Sequence, residues 1–304
     1  MAISRAQLVK ELEPGLNALF GLEYKRYENQ HAEIYTTESS DRAFEEEVML
    51  SGFANANVKV EGSGVNYDQS QETYTARYTH DTIALAFAIT EEAIEDNLYD
   101  RISSRYTKAL ARSMSNAKQV KAAAPLNNGL PTADGFDSGD GVSLFNTAHT
   151  TVSGTNVKNT LTTQADLNET SLEQALIDIA AFTDERGLRV AAKGVKMIIP
   201  SANQFSAERL LKSQGRTGTA DNDINAVASM GMVPQGYRVN NFLTDADSWY
   251  IMTDVPNGMK MFSRTPLTTS MEGDFDTGNV RYKARERYAF GASDFRGIFG
   301  CEGA

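Results

Sequence analysis

The spacing of apolar residues changes along the chain, and each spacing implies a different element. Over residues 4–27, Leu8, Leu12, Leu16, Leu19 and Phe20 share one side of a helical projection with Pro14 among them. This predicts two short amphipathic helices broken near the proline. Residues 28–47 are polar, end in Glu45, Glu46 and Glu47, and predict an extended linker. From Val48 the period shortens to two. Val58-Lys59-Val60-Glu61 alternates, Gly62, Gly64, Asn66 and Asp68 supply turn chemistry, and residues 74–79 alternate back. The pattern predicts a long hairpin with a polar, glycine-rich tip, whose flanks hold few residues able to bury it against its own chain. It is either a flexible surface hairpin or an arm ordered by lying on another subunit.

A four-residue recurrence follows. Ile94, Leu98, Ile102, Tyr106, Leu110 and Met114 form one drifting stripe and predict a helix over residues 90–124, stopped by Pro125 and the Asn127-Asn128-Gly129 turn. At 1.5 Å per residue it would be roughly 50 Å long. Glu91, Glu92, Glu95, Asp96 and Asp100 occupy its start, then Arg101, Arg105, Lys108, Arg112, Lys118 and Lys121 its remainder. That order complements the helix dipole, although ordinary solvated charges would read the same way. Residues 127–165, rich in Gly, Asn, Thr, Ser and Asp, predict a long irregular excursion of the kind that is functional or ordered by a partner.

Beyond it the pattern is α/β. Thr170-x-x-Glu173 reads as a capping box opening a helix that stops at Gly187. A buried strand at 195–199, helices at about 201–213 and 222–230, and strands at 237–243 and 249–255 come next. Asn257-Gly258 signals a hairpin leading into residues 259–262, and a long strand covers 279–290.

Composition narrows the function. The 304 residues carry 29 Lys+Arg and 40 Asp+Glu, a net charge of -11, which disfavours a protein that grips nucleic acid by neutralising phosphates. Residues 1–100 hold 19 acids and 7 bases and the rest 21 acids and 22 bases, so the whole excess lies in the first third. One cysteine, Cys301, permits no intrachain disulfide, and no stretch approaches 18 uninterrupted apolar residues. With no secretory pattern at the amino terminus, a soluble protein of a reducing compartment is expected.

No catalytic, cofactor-binding or metal constellation emerges. His31, His80 and His149 show no ligand spacing, and Asp134, Asp137 and Asp140 lack a calcium-loop register and its closing glutamate. No nucleophile elbow or phosphate loop is present, so an enzyme is not expected. One charge pattern stands apart. Arg281, Lys283, Arg285 and Arg287 alternate with Tyr282, Ala284, Glu286 and Tyr288, which in a strand places four cations on one face. Given the acidic first third, the expected use is contact with acidic groups of another segment or subunit, with a solvated face as the alternative. The candidate intersubunit contacts from charge are thus Glu45, Glu46, Glu47, Arg281, Lys283, Arg285 and Arg287.

The stretch SMEGDFDTGNVRYKARERY at 270–288 resembles the carboxy-terminal region of tailed-bacteriophage major capsid proteins. So do LFNTAH at 144–149, DERG at 184–187 and TADNDIN at 219–225. Together they are similar to the Mu-like prophage major head subunit group, which implies the α+β, HK97-like (Hong Kong 97-type) capsid fold. On that resemblance residues 1–47 would be an N-terminal arm, 48–84 the extended E-loop hairpin and 85–126 the P-domain with its long spine helix. Residues 127–165 would be an irregular excursion, 166–263 the α/β A-domain, and 264–304 strands returning to the P-domain.

The implied function is a structural head protein that self-assembles as pentamers and hexamers into an icosahedral virion shell. It would enclose double-stranded DNA without specific binding or membrane contact, after assembly in the bacterial host cytoplasm. Portal, decoration and separate scaffolding proteins are the implied partners, and no cofactor is. Some members crosslink an E-loop lysine to a neighbour's asparagine; Lys59 is the only lysine in this hairpin, and no motif marks its partner. Two alternatives stand beside this reading, an encapsulin-like compartment shell and a soluble α/β enzyme.

Overall fold

Two helices laid across a four-stranded sheet form one half of the protein, as seen in a computed structural model. It describes residues 5–90, 92, 99–130, 135–216, 223–274 and 278–304, with the side chains of 5–12 and 99–102 left aside. The sheet runs in the order β1 (Thr36–Ser39), β10 (Met259–Gly273), β11 (Val280–Ala292), β4 (Asp81–Ile89). Strand β1 is parallel to β10, and the other neighbours are antiparallel. Helices α1 (Arg5–Arg26) and α2 (Tyr99–Asn128) cover one face, where Leu16, Phe20, Leu110, Ala111 and Met114 pack against Met271, Val280, Tyr282 and Ala284.

Several expectations change at this layer. The amino-terminal segment is one continuous helix, not two, and Pro14 lies inside it. A proline within a helix costs about 3 kcal/mol, which burial of Leu16 and Phe20 against α2 and the sheet offsets. Helix α2 likewise runs through Pro125 to Asn128. It ends before Gly129, a position only glycine can occupy, since a Cβ there would lie 2.5 Å from the Pro125 carbonyl oxygen and 2.8 Å from the Leu144 Cβ. Most of the predicted start of this helix, residues 91 and 93–98, lies outside the described residues. The expected linker at 28–47 is also structured. A 3₁₀ turn at Gln30–Glu33 leads to Ile34 and Tyr35, both buried, and the Tyr35 hydroxyl donates to the Ala122 carbonyl at 2.6 Å.

The other half is built on the sheet β12 (Ile298–Cys301), β9 (Trp249–Thr253), β7 (Gly194–Ile199), β8 (Tyr237–Val239). Its core holds Trp249, Tyr250, Ile251, Phe299 and the α3 (Glu169–Ala180) residues Leu172, Ala175 and Ile179. Helices α4 (Gln204–Lys212) and α5 (Ala226–Met230) flank it. Residue 263 falls inside β10, and the chain's last strand joins this second sheet.

Helix α3 is capped by Asn168 and Ser171 rather than Thr170 and Glu173. The Asn168 side chain accepts from the Ser171 amide at 2.9 Å, and the Ser171 hydroxyl accepts from the Asn168 amide at 3.0 Å. The helix ends at Ala180, and Gly187, with φ 84°, instead closes a separate turn in which Asp184 accepts from the Arg186 and Leu188 amides. Asn257-Gly258 is a turn but not a hairpin, because β9 and β10 belong to different sheets. Gly258 is needed there, since a Cβ would stand 2.7 Å from the Gly297 Cα.

The excursion at 127–165 is packed within its own chain. Leu144 and Phe145 are fully buried, and β5 (His149–Thr150) pairs with β6 (Asn156–Val157). The Asn159 amide donates to the carbonyls of Leu144, Phe295 and Ile298 at 2.7, 3.1 and 3.3 Å. A side chain thus supplies the backbone partners that regular structure would otherwise provide.

Candidate intersubunit surfaces

Strand β11 sorts its side chains as a pleated strand must. Tyr282, Ala284, Glu286 and Tyr288 are buried under the helices, Arg281, Lys283 and Arg285 are exposed on the opposite face, and Arg287 is half-buried. On the β4 side only small residues flank this row, Ala88, Ala86 and Ala84 standing opposite Arg281, Lys283 and Arg285, while on the β10 side their partners are Glu272, Ser270 and Thr268. Arg281 pairs with Asp274, whereas Lys283, Arg285 and Arg287 form no ion pair among the described residues. The Arg287 Nε is buried without a hydrogen-bond acceptor.

The hairpin rises from the far end of this same sheet face. Its paired strands are β2 (Phe44–Leu50) and β3 (Glu72–Thr79), and Val58-Lys59-Val60-Glu61, expected as a strand, has no strand partner within the described residues. The base is firmly seated. Ala76 and Tyr78 pack on Phe262 and Ala289, with the Tyr78 and Phe262 rings 4.7 Å apart. Gly291 makes room for the Tyr78 ring, since a Cβ would approach it to 2.6 Å. The tip differs. Residues 53–70 are all exposed, Val58 by 94% and Tyr67 by 97%.

The three glutamates expected to meet another subunit are engaged within the chain. Glu47 accepts from Lys260 at 2.5 Å and from the Ser293 hydroxyl, so Tyr78, which shares a hydrogen bond with Ser293, is the donor to it. Lys260 also pairs with Glu38 at 3.1 Å. Burial disfavours the Lys260 charge, but these carboxylates outweigh it and hold the ammonium above its ordinary value. Glu46 pairs with Arg77 at 3.7 Å, an exposed pair of little energetic weight. Glu45 accepts from the Ser40 hydroxyl at 2.7 Å. Ser40 has no second proton, so His80 Nε2, 2.8 Å away, carries one and donates to it. Burial and then Arg287 lower the His80 pKa, keeping the ring neutral. Lys59 stays exposed on the tip.

Two buried charge networks escaped sequence reasoning. Glu286 accepts from Tyr24 at 3.3 Å and from Lys118 at 3.1 Å, joining α1, α2 and β11. Arg296 donates to Glu185 at 2.6 Å, to Asp294 at 3.2 Å and to the Thr183 carbonyl at 2.8 Å. His149 is fully buried, stacked 3.8 Å from Phe295 and bonded to Asp140 at 2.6 Å and Asn159 at 3.1 Å. Each ring nitrogen thus has a partner, as a structural histidine requires. Among the described residues no His, Cys, Asp and Glu cluster could hold a metal ion, and no helix is long and apolar enough to cross a membrane.

A sequence model of the phage capsid protein family matches residues 73–300. The chain belongs to that family. As a phage capsid protein it is a structural, non-enzymatic component of the virion and works by self-association. The capsid of an empty GTA particle has 14% sequence identity, covers 91% of each chain and superposes with a TM-score of 0.59. For the capsid of Myoviridae phage XM1 the values are 12%, 89% of each chain and 0.54. A virus-like particle from Pyrococcus furiosus gives 10%, 94% of this chain, 98% of that one and 0.53. At such identities the likeness is one of fold, and the fold is HK97-like. No curated protein sequence matches the chain.

Proposed function

We propose that this capsid protein assembles as pentamers and hexamers into an icosahedral shell enclosing double-stranded DNA. The observation that carries the reading is the hairpin tip, where Phe53, Val58, Val60, Val65 and Tyr67 are exposed together on a projection with no core of its own. A monomer gains nothing from displaying them, whereas burial on neighbouring copies offsets the entropy of ordering the arm. Head-to-tail repetition of such a contact closes a shell.

In this reading α1, α2 and the β1–β10–β11–β4 sheet act as the peripheral domain, and the β12–β9–β7–β8 sheet with its helices as the axial domain around the symmetry axes. Portal, scaffolding and decoration proteins are its further partners, and assembly takes place in the host cytoplasm. The four stretches similar to Mu-like head subunits support placement in that group. DNA is enclosed without specific binding, in keeping with a net charge of -11.

Size-exclusion chromatography and negative-stain microscopy of the purified chain test the proposal. Closed particles are expected, and a stable monomer at high concentration would refute it. Nuclease-protected DNA inside particles from infected cells would separate a phage head from a cargo-enclosing compartment.

A further inference from the structure

The hairpin ribbon joins the sheet through two chain crossings, one at Ser40 and one at His80, and a side-chain bond ties them. The Ser40 hydroxyl gives its proton to Glu45 and accepts from His80 Nε2 at 2.8 Å. His80 Nδ1 is therefore a bare lone pair. It is buried without a hydrogen-bond partner among the described residues, on a residue only 6% exposed. Arg287 of β11, whose charge acts on His80, has its Nε buried and unpaired as well. Buried polar atoms are almost always satisfied, so two open ones side by side point to a ligand.

A break in the sheet aims a third group at the same place. Ser263 pairs with Tyr288 and Thr265 with Arg287, so Arg264 is the extra residue of a β-bulge in β10. Bulges re-aim side chains, and this one sets half-buried Arg264 close enough to His80 for its charge to be felt there. Its ion pair is a loose one, 3.9 Å from fully exposed Asp41. The charged groups facing His80 are thus Arg287, Glu45 and Arg264, with Asp41 behind Arg264. The adjoining Asp81 is engaged by Lys121 at 2.5 Å. Two guanidinium donors and one lone-pair acceptor converge.

A ligand that satisfies all three must offer oxygens to the arginines and one O–H to Nδ1. Sulfate and phosphodiesters carry no O–H. Hydrogen phosphate carries one at neutral pH, and its oxygens suit the planar fork of arginine. We propose that Arg264, Arg287 and His80 form a binding site for inorganic phosphate at the neck of the hairpin. Arg287 Nε and the Arg264 guanidinium would donate to its oxygens, and its hydroxyl would donate to His80 Nδ1. Bound there, phosphate would link β10, β11 and the β3–β4 crossing, and through Ser40 the β1–β2 crossing. The root of the hairpin would then be fixed by an ion. In acid, a proton on Nδ1 would turn the site donor-only, and sulfate would fit it too.

Isothermal titration calorimetry of the full-length chain with inorganic phosphate or sulfate, at about pH 7.5 and about pH 5, tests the site. At the higher pH phosphate is expected to bind at least about tenfold more tightly than sulfate, the worth of one hydrogen bond to a buried group. At the lower pH sulfate should gain at least about threefold as Nδ1 takes up a proton. Arg264→Ala, at the half-buried bulge, should weaken phosphate binding at least about tenfold while circular dichroism stays unchanged. No phosphate binding, equal affinity for both anions at the higher pH, or sulfate binding that does not strengthen in acid would overturn the assignment. So would a phosphate affinity unmoved in both Arg264→Ala and Arg287→Gln. The titration reads the dilute chain and is independent of whether copies close into a shell.

Discussion

The β12–β9–β7–β8 body and the projecting hairpin are both written in strand-forming sequence, yet they end in opposite states. In the body, Trp249, Tyr250, Ile251 and Phe299 lose all contact with solvent because strands from residues 194 to 301 close around one core. In the hairpin, β2 and β3 pair only with each other, and the valines and tyrosine of the tip face solvent. Alternation alone therefore does not bury a strand. It specifies which side chains could be buried and leaves open whether the burying surface belongs to the same chain. A two-stranded ribbon has no such surface of its own.

Removing the tip should separate these regions most sharply. Replacing residues 55–67 with a short Gly-Ser linker removes the exposed tip and leaves the seated base, with Ala54 and Asp68 still on opposite sides of the neck. The variant should melt like the parent protein and form no shells, judged by circular dichroism and microscopy. Normal shells would show that the tip is not an assembly element. In the body the reverse is expected. Phe299→Ala, at a fully buried position, should cost about 3–5 kcal/mol in denaturant unfolding. A loss below about 1 kcal/mol would mean the body is less tightly packed than its burial implies.

A smaller effect is expected at the exposed cationic row. Arg285→Glu should change unfolding free energy by no more than about 0.5 kcal/mol, as solvent-exposed substitutions do. Its effect should fall on the fraction of protein assembled. Equal losses of stability and assembly would assign Arg285 a role within the fold.

The mildest perturbation is pH. Burial, helped by Lys118, lowers the His31 pKa to about 4. The unfolded chain thus binds this proton near pH 6.5 and the folded chain only near pH 4. Stability from this site is complete above pH 6.5 and declines as pH falls toward 4. His31→Gln should flatten that part of the stability profile, and an unchanged slope would exclude His31 as its source.

Local regularities were open to reading, and pairings across the chain were not. The β11 alternation announced a cationic face and a buried face, and both are present. It did not announce that buried Glu286 meets Lys118, 168 positions away, and Tyr24, 262 positions away. Glu45, Glu46 and Glu47 read as candidate intersubunit contacts because Arg77 meets Glu46 only through the β2–β3 register, and Lys260 meets Glu47 only where the ribbon folds over one end of the sheet. Asn257-Gly258 was legible as a turn, but a turn signal does not say which sheets lie on either side. The irregular stretch at 127–165 looked unpacked because its order rests on Asn159 and on glycine contacts such as Gly129 against Leu144.

What the sequence determined by itself is short-range: helical and strand periods, the side chains that share a face, and a net charge concentrated in the first third. These follow from backbone geometry repeating every 3.6 or 2 residues. Tertiary structure decided the rest, because burial and hydrogen bonding depend on which distant segment arrives. It carried α1 through Pro14, bound the glutamates of β2 within their own chain and turned a loose excursion into core. Among the described residues it also left one long sheet edge and the hairpin tip without strand partners, and no period within the chain records that.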